Sequence, residues 1–374
     1  MNTHWFDAHL DLACIAVNGR DMDALPHACT KPWPPCAVTL PSLRTGNVRA
    51  FLGTIFIEPD GSDAEAYPAG DIVRAHNAGL SQLAWYHAQA AKGTIRLPTA
   101  RVVDVGQVTL PPHSDHPPQA SIPRAQGLDT PSCFILVEGA DSIREPGELS
   151  WWVDRGVVAV GLSWAKSSRY AGGNTEARGL EPIGRELITE IDRLDIVHDV
   201  SHLSDRAMDE LFDLAQGRVI ASHSNCRSLL NMPANQRHLR DASIRAIASR
   251  QGVIGLNLFS KFLIPATTLS TTNPSTTNPS TTSSSTKATP RAKLAQCVDH
   301  VKHICDLTGS SKHIGLGSDM DGGFSADLLP QSIDIPQHLA HLADALSKAN
   351  FSDDEIHAFA WQNWARFWNL AKKA

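Results

Sequence analysis

No run in this 374-residue chain approaches the length of a membrane span, and its start lacks the charged segment and apolar stretch of a secretory signal. Its seven cysteines (Cys14, Cys29, Cys36, Cys133, Cys226, Cys297 and Cys305) are odd in number, scattered, and contain no Cys-x-x-Cys pair. That excludes a disulfide framework and argues against a cysteine zinc site. No basic block or aromatic-interleaved Lys/Arg stripe is present, and the formal charge of -6 is mild, so no nucleic-acid partner is expected. The expectation is a soluble, cytoplasmic protein that does not engage a membrane. What the chain does have is 42% hydrophobic residues, enough to bury a large core, and seventeen histidines. Histidines matter for metal chemistry only where they gather.

Apolar, β-branched runs alternate with amphipathic stretches along the chain. The runs end at Asp7–Asp11, Ile57, Glu138, Leu162, His202, His223, Leu258 and Asp319. Helical periodicity marks 71–92, where Val73, Leu80, Leu83 and Ala84 share a face, and also 183–194, 205–216, 241–250 and 294–308. Eight near-continuously apolar strands separated by helices predict an α/β fold of the (β/α)8 TIM-barrel type, as one domain over 1–374. An open doubly wound sheet is the alternative. It is disfavoured because no glycine-rich phosphate fingerprint follows the first strand. Two insertions interrupt the alternation. Residues 111–130 are rich in Pro, Ser and His; residues 266–290 repeat Ser-Thr-Thr-Asn-Pro in tandem, with too little apolar content to offset the entropy of ordering. Both are expected to be loops.

The chemistry is concentrated at the strand ends. His9 and Asp11 stand two apart, a spacing that lets an imidazole and a carboxylate hold one divalent cation. Glu138 closes the run Phe134-Ile-Leu-Val, where a carboxylate is costly unless something positive faces it. His202 and His223 each follow a serine at the same place in successive βα units. Asp319 sits in Gly317-Ser-Asp-Met-Asp-Gly322, with an Asx turn as its plain alternative, and Asp321 is expected to take that turn role. Each residue alone has an ordinary structural explanation. Together they compose a set of metal ligands with an acid/base beside it.

The segments His9-Leu-Asp11, Val137-Glu-Gly139, Asp199-Val-Ser-His202, Ala221-Ser-His-Ser-Asn225 and Gly317-Ser-Asp-Met-Asp-Gly322 resemble, in order and spacing, the membrane (renal) dipeptidase family of amidohydrolase-type metallopeptidases. The resemblance implies a (β/α)8 barrel with two Zn2+, His9 and Asp11 on the first, His202 and His223 on the second, and Glu138 bridging both. It implies hydrolysis of dipeptides with a free C-terminal carboxylate by a metal-bridging hydroxide, with Asp319 as the acid/base. Arg237, in Arg-His-Leu-Arg-Asp, resembles the arginine that grips the terminal carboxylate; Arg227 and Arg240 compete for that place. The fourth strand departs from the family pattern. It ends Leu162-Ser-Trp164 where the best-known members carry histidine, so Trp164 is either a substrate-facing wall or ordinary packing. Two other readings stay open: an amidohydrolase of the same fold acting on another amide or a lactone, and a metal-binding homologue whose chemistry has lapsed. The family is also consistent with a homodimer, for which the sequence itself carries no signal.

Overall fold

The computed structural model describes residues 3–100, 130–266 and 290–370. The two expected loop insertions, apart from their end residues, lie outside the described residues.

Among the described residues, eight parallel strands make up the main sheet: β1 (Trp5–Leu10), β2 (Val48–Phe56), β3 (Ser132–Glu138), β4 (Val157–Gly161), β5 (Val197–Asp199), β6 (Val219–Ile220), β7 (Ile254–Leu256) and β8 (Ile314–Leu316). They pair in the order β6-β5-β4-β3-β2-β1-β8-β7. A parallel bridge between Ala221 and Ile254 joins the two end strands, so the sheet curls into a barrel. Glycines permit this last closure. A Cβ at Gly255 or Gly317 would lie 1.8 or 1.9 Å from the Ser222 carbonyl oxygen. The helices that follow successive strands include α1 (Leu40–Thr45), α2 (Ile72–Ala91), α3 (Leu149–Asp154), α4 (Pro182–Arg193), α5 (Asp205–Leu214), α6 (Asp241–Ser249), α7 (Leu294–Thr308) and α8 (Leu339–Lys348).

One large apolar cluster lies between strands and helices; a second contains Phe6, Ala8, Ala50, Leu52, Phe134, Leu136, Val197 and Ile220 but no residue of α1–α8. The second is therefore the barrel interior. Alternation of large and small residues along β1 and β2 (Phe6 with Ala8, Leu52 with Ala50) fills the lumen in layers. Its floor is Trp364 of the C-terminal segment, fully buried, stacked 5.9 Å from Phe6 and donating Nε1–H to the Leu316 carbonyl at 3.0 Å. Each such buried aromatic contributes roughly 2–3 kcal/mol of apolar transfer. The plug closes the amino ends of the strands and leaves the carboxyl ends as the open mouth.

The expected core face of α2 is corrected in one respect. Its buried positions are Ala75, His76, Gly79, Gln82, Leu83, Ala84, Tyr86, His87 and Gln89, whereas Val73 is 66% exposed. The face is set by Gly79, where a Cβ would lie 2.5 Å from Ser142; Val73, in the first turn, falls on the flank and points to solvent. Among the described residues no helix is long and apolar enough to cross a membrane.

Candidate metal centre at the barrel mouth

Strand geometry delivers the polar residues to one place. Trp164, His202, His223 and Asp319 each lie three residues past the end of their strands, which close at Gly161, Asp199, Ile220 and Leu316. Glu138 is the last residue of β3, and His9 and Asp11 flank the end of β1. His202 and Asp319 adopt left-handed backbone conformations (φ 67° and 59°), uncommon for side-chain-bearing residues and enriched where function fixes a conformation. Gly322 makes room for Asp319: a Cβ there would lie 1.8 Å from the Asp319 Oδ1.

Three imidazoles converge on one carboxylate. Glu138 Oε2 is 3.1 Å from His9 Nε2; Glu138 Oε1 is 3.1 Å from His202 Nε2 and 3.5 Å from His223 Nε2. Asp11 Oδ1 lies 3.6 Å from His9 Nε2 and accepts the Thr54 hydroxyl. Ligand atoms of His9, Glu138 and His223 lie within 4.8 Å of one another, as do those of His9, Asp11 and Asp319. All of the expected metal and acid/base residues are thus brought together, and all are buried.

The Nδ1 atoms face acceptors instead. His202 Nδ1 is 2.9 Å from Asn174 Oδ1; His9 Nδ1 and His223 Nδ1 lie 3.2 and 2.8 Å from the Ser222 hydroxyl. An imidazole that donates through Nδ1 presents a bare lone pair at Nε2. The Nε2 atoms of His202 and His223 are 2.9 Å apart, so two lone pairs confront each other, an arrangement that only a shared proton or a cation relieves. A protein of three imidazoles, two or three carboxylates and no thiolate at this spot fits zinc.

Electrostatics point the same way. Burial, reinforced by Arg237, pushes the His202 imidazole down to about 4; burial with His9, Arg237 and His202 pushes His223 well down. Both are held neutral at neutral pH. Burial would also lower His9, but the adjacent Glu138 and Asp11 carboxylates outweigh it and hold it up. Burial would raise Glu138, yet His9 and His202 hold it below the usual carboxylate range. Asp319 is raised to about 8, first by burial, with Asp11 and Glu138 adding to it against His9 and Arg237. Asn257 donates Nδ2–H to Asp319 Oδ2 at 2.9 Å.

The competing arginines separate by their partners. Arg227 forms a bidentate pair with Asp205 (2.8 and 2.7 Å), and Arg240 pairs with Asp209 at 2.5 Å. Arg237 has no carboxylate partner among the described residues. It is buried and donates to the His223 carbonyl (2.8 Å) and the Ser224 hydroxyl (3.1 Å), with Nε unpartnered. Trp164 packs edge-on against Phe56 at 5.2 Å and lies 5.9 Å from the His202 ring, at the rim of the same site.

One expectation is corrected. Asp321 is not a simple turn residue: it is fully buried, forms an ion pair with Arg20, and accepts the backbone N–H groups of Ala37 (2.9 Å) and Val38 (2.8 Å). It anchors the β8 turn to the segment after β1. Sequence reasoning also missed Asn174, Ser222, Asp199 and Asn257. The serine before each histidine was the one visible signal among them.

The family model described as membrane dipeptidase (peptidase family M19) matches residues 116–374. An uncharacterized dipeptidase of Schizosaccharomyces pombe is 26% identical over 246 residues, covering 64% of this chain and 53% of that protein, so the chain spans about half the length of this relative. A metallo peptidase of Rhodobacter sphaeroides, solved with a phosphinate mimic of the dipeptide L-Ala-D-Ala, superposes with TM-score 0.72 at 20% identity over 97% of each chain. The probable dipeptidase PvdM of Pseudomonas aeruginosa superposes with TM-score 0.72 at 18% identity, over 100% of this chain and 96% of that one. At such identities the structural likenesses establish a common fold.

Proposed function

Because this chain belongs to the membrane dipeptidase family of metallopeptidases, we propose that it hydrolyses dipeptides carrying a free C-terminal carboxylate at a binuclear zinc site. The observation that carries the reading is Arg237, a buried cation without a carboxylate partner among the described residues, beside three imidazole nitrogens turned toward one carboxylate. An unpaired buried guanidinium is costly, and an anionic ligand relieves it. His9 and Asp11 would hold one ion and His202 and His223 the other, with Glu138 between them. Two zinc ions there supply an acidified water at neutral pH and polarisation of the scissile carbonyl.

The chain's own groups do the rest. Arg237 receives the substrate carboxylate, its planar fork matching the two oxygens. Asp319 takes a proton from the attacking water and returns it to the leaving amine nitrogen. Asn257, by occupying Asp319 Oδ2, leaves Oδ1 to move that proton. Trp164 and Phe56 form an apolar wall at the rim, which favours dipeptides with an apolar side chain on that side.

A panel of small L-L and L-D dipeptides, offered to the zinc-reconstituted protein and to Asp319→Asn, tests the reading. Turnover by the first and none by the second is expected. Absence of turnover with two zinc ions bound per chain would discard the dipeptide substrate.

A further inference from the structure

Two of the imidazoles assigned to different ions rest on one hydroxyl. Ser222 Oγ lies 2.8 Å from His223 Nδ1, 3.2 Å from His9 Nδ1 and 2.5 Å from Asp199 Oδ2. The two rings stack with centroids 3.5 Å apart, which is how one atom reaches both. A hydroxyl has one proton and two lone pairs, so it cannot donate to all three neighbours.

Asp199 decides where the proton goes. Its Oδ1 accepts the backbone N–H groups of Ser222 (2.9 Å) and Ser201 (3.0 Å), donors that leave no alternative polarity. The approach of its Oδ2 to Ser222 Oγ has the length of a charge-assisted O–H···O⁻ bond. Ser201 Oγ, 3.4 Å from Ser222 Oγ, is a far weaker competitor. With its proton committed to Asp199, Ser222 Oγ has two lone pairs left, one for each Nδ1–H.

We infer that Ser222 is a positioning residue that sets the tautomer of His9 and His223 together. It holds both as Nδ1–H imidazoles and so turns both Nε2 lone pairs toward Glu138 and the cation site. His202 is served independently by Asn174. The inference rests on the reading of these imidazoles as zinc ligands and extends it: one hydroxyl, ligating nothing, governs both ions. Loss of such an outer partner typically weakens metal binding by about 10- to 100-fold; here the loss falls on both ions at once.

The test uses the full chain stripped of metal, with ¹⁵N-labelled histidine, at a pH where the imidazoles are neutral. Nitrogen NMR is expected to show His9 and His223 protonated at Nδ1, and Ser222→Ala to redistribute both while leaving His202 unchanged. Ser222→Thr, which keeps the hydroxyl, is expected to restore both. Zinc affinity by chelator competition then falls about 10- to 100-fold for both ions in Ser222→Ala and recovers in Ser222→Thr. Unchanged tautomers and affinities in the alanine variant overturn the inference. If that variant does not fold, the parent spectrum decides, because a neutral ring protonated at Nε2 in either residue is equally fatal. A parent that binds no zinc, yet shows tautomers that Ser222→Ala abolishes, keeps the lock and removes the metal reading instead.

Discussion

Two seams of the barrel carry the same clamp and use it differently. Where β1 meets β8, Asp7 accepts the Ser318 backbone N–H at 2.8 Å and also the Ser318 hydroxyl. Where β5 meets β6, Asp199 accepts the Ser222 backbone N–H at 2.9 Å and its hydroxyl at 2.5 Å. Burial raises both carboxyls, Asp7 to about 6, against the hydrogen bonds that pull them down. In each seam the residue after the serine is one to which the proposed function gives a role, Asp319 in one and His223 in the other. The hydroxyls differ in what else they meet. Ser318 Oγ accepts a backbone N–H from Met320 at 3.3 Å, whereas Ser222 Oγ meets two imidazoles. One local device thus meets only carboxylate and backbone in the first seam and two imidazoles besides its carboxylate in the second.

The largest expected effect separates the seams by function. Asp319→Asn should lower dipeptide turnover by about 10²- to 10⁴-fold, the range for a lost proton-transfer group, with zinc content by elemental analysis unchanged. Loss of zinc in that variant would mean that the β8 seam also holds metal. Next, Arg237→Met should cost about 10- to 100-fold in kcat/KM for dipeptides, as expected for a lost charge-assisted pair of about 1.5–3 kcal/mol. A neutral ester substrate should suffer less, and equal losses on both would count against a carboxylate grip.

A smaller effect sharpens the comparison directly. Ser318→Ala should destabilise the fold by about 1–3 kcal/mol, since it leaves a buried carboxylate oxygen unsatisfied, while zinc affinity stays at the parent value. Denaturant unfolding and chelator competition read the two quantities separately. A drop in zinc affinity matching that of Ser222→Ala would erase the distinction between the seams.

The smallest effect lies outside both. Burial, with His303 adding to it, lowers His300 to about 4, while Nδ1 accepts the Cys226 backbone N–H at 3.1 Å. The unfolded chain takes up this proton near pH 6.5, its ordinary value, and the folded chain only near 4. Its contribution is therefore complete above about pH 6.5 and is lost progressively as pH falls toward 4. His300→Gln, which keeps an acceptor but cannot titrate, should flatten the decline of the melting temperature between pH 6.5 and 5. An unchanged slope would place the acid sensitivity elsewhere.

Much of this was legible from residue order. Parallel strands buried on both faces read as continuous apolar runs, so the eight βα units and their polar carboxyl ends could be counted directly. His9, Asp11, Glu138, His202, His223 and Asp319 each stood at such an end. Contacts across the barrel were not legible. Asp321 looked like a turn residue because its partner, Arg20, lies 301 positions away. Asn174 carried no local mark, since its contact with His202 depends on how the loop after β4 folds over the next strand. Among Arg227, Arg237 and Arg240, composition alone offered no reason to choose.

What the sequence by itself determined was the alternation of strands and helices and the chemical type of residue placed at each strand end, because hydrophobic periodicity and chain order are local properties. What only the tertiary structure decided was the state of those residues: which arginine lacks a carboxylate among the described residues, which nitrogen of each imidazole faces inward, and which serine hydroxyl meets two imidazoles. Each of those depends on the distance between atoms far apart in the chain, and only the closed barrel brings them together.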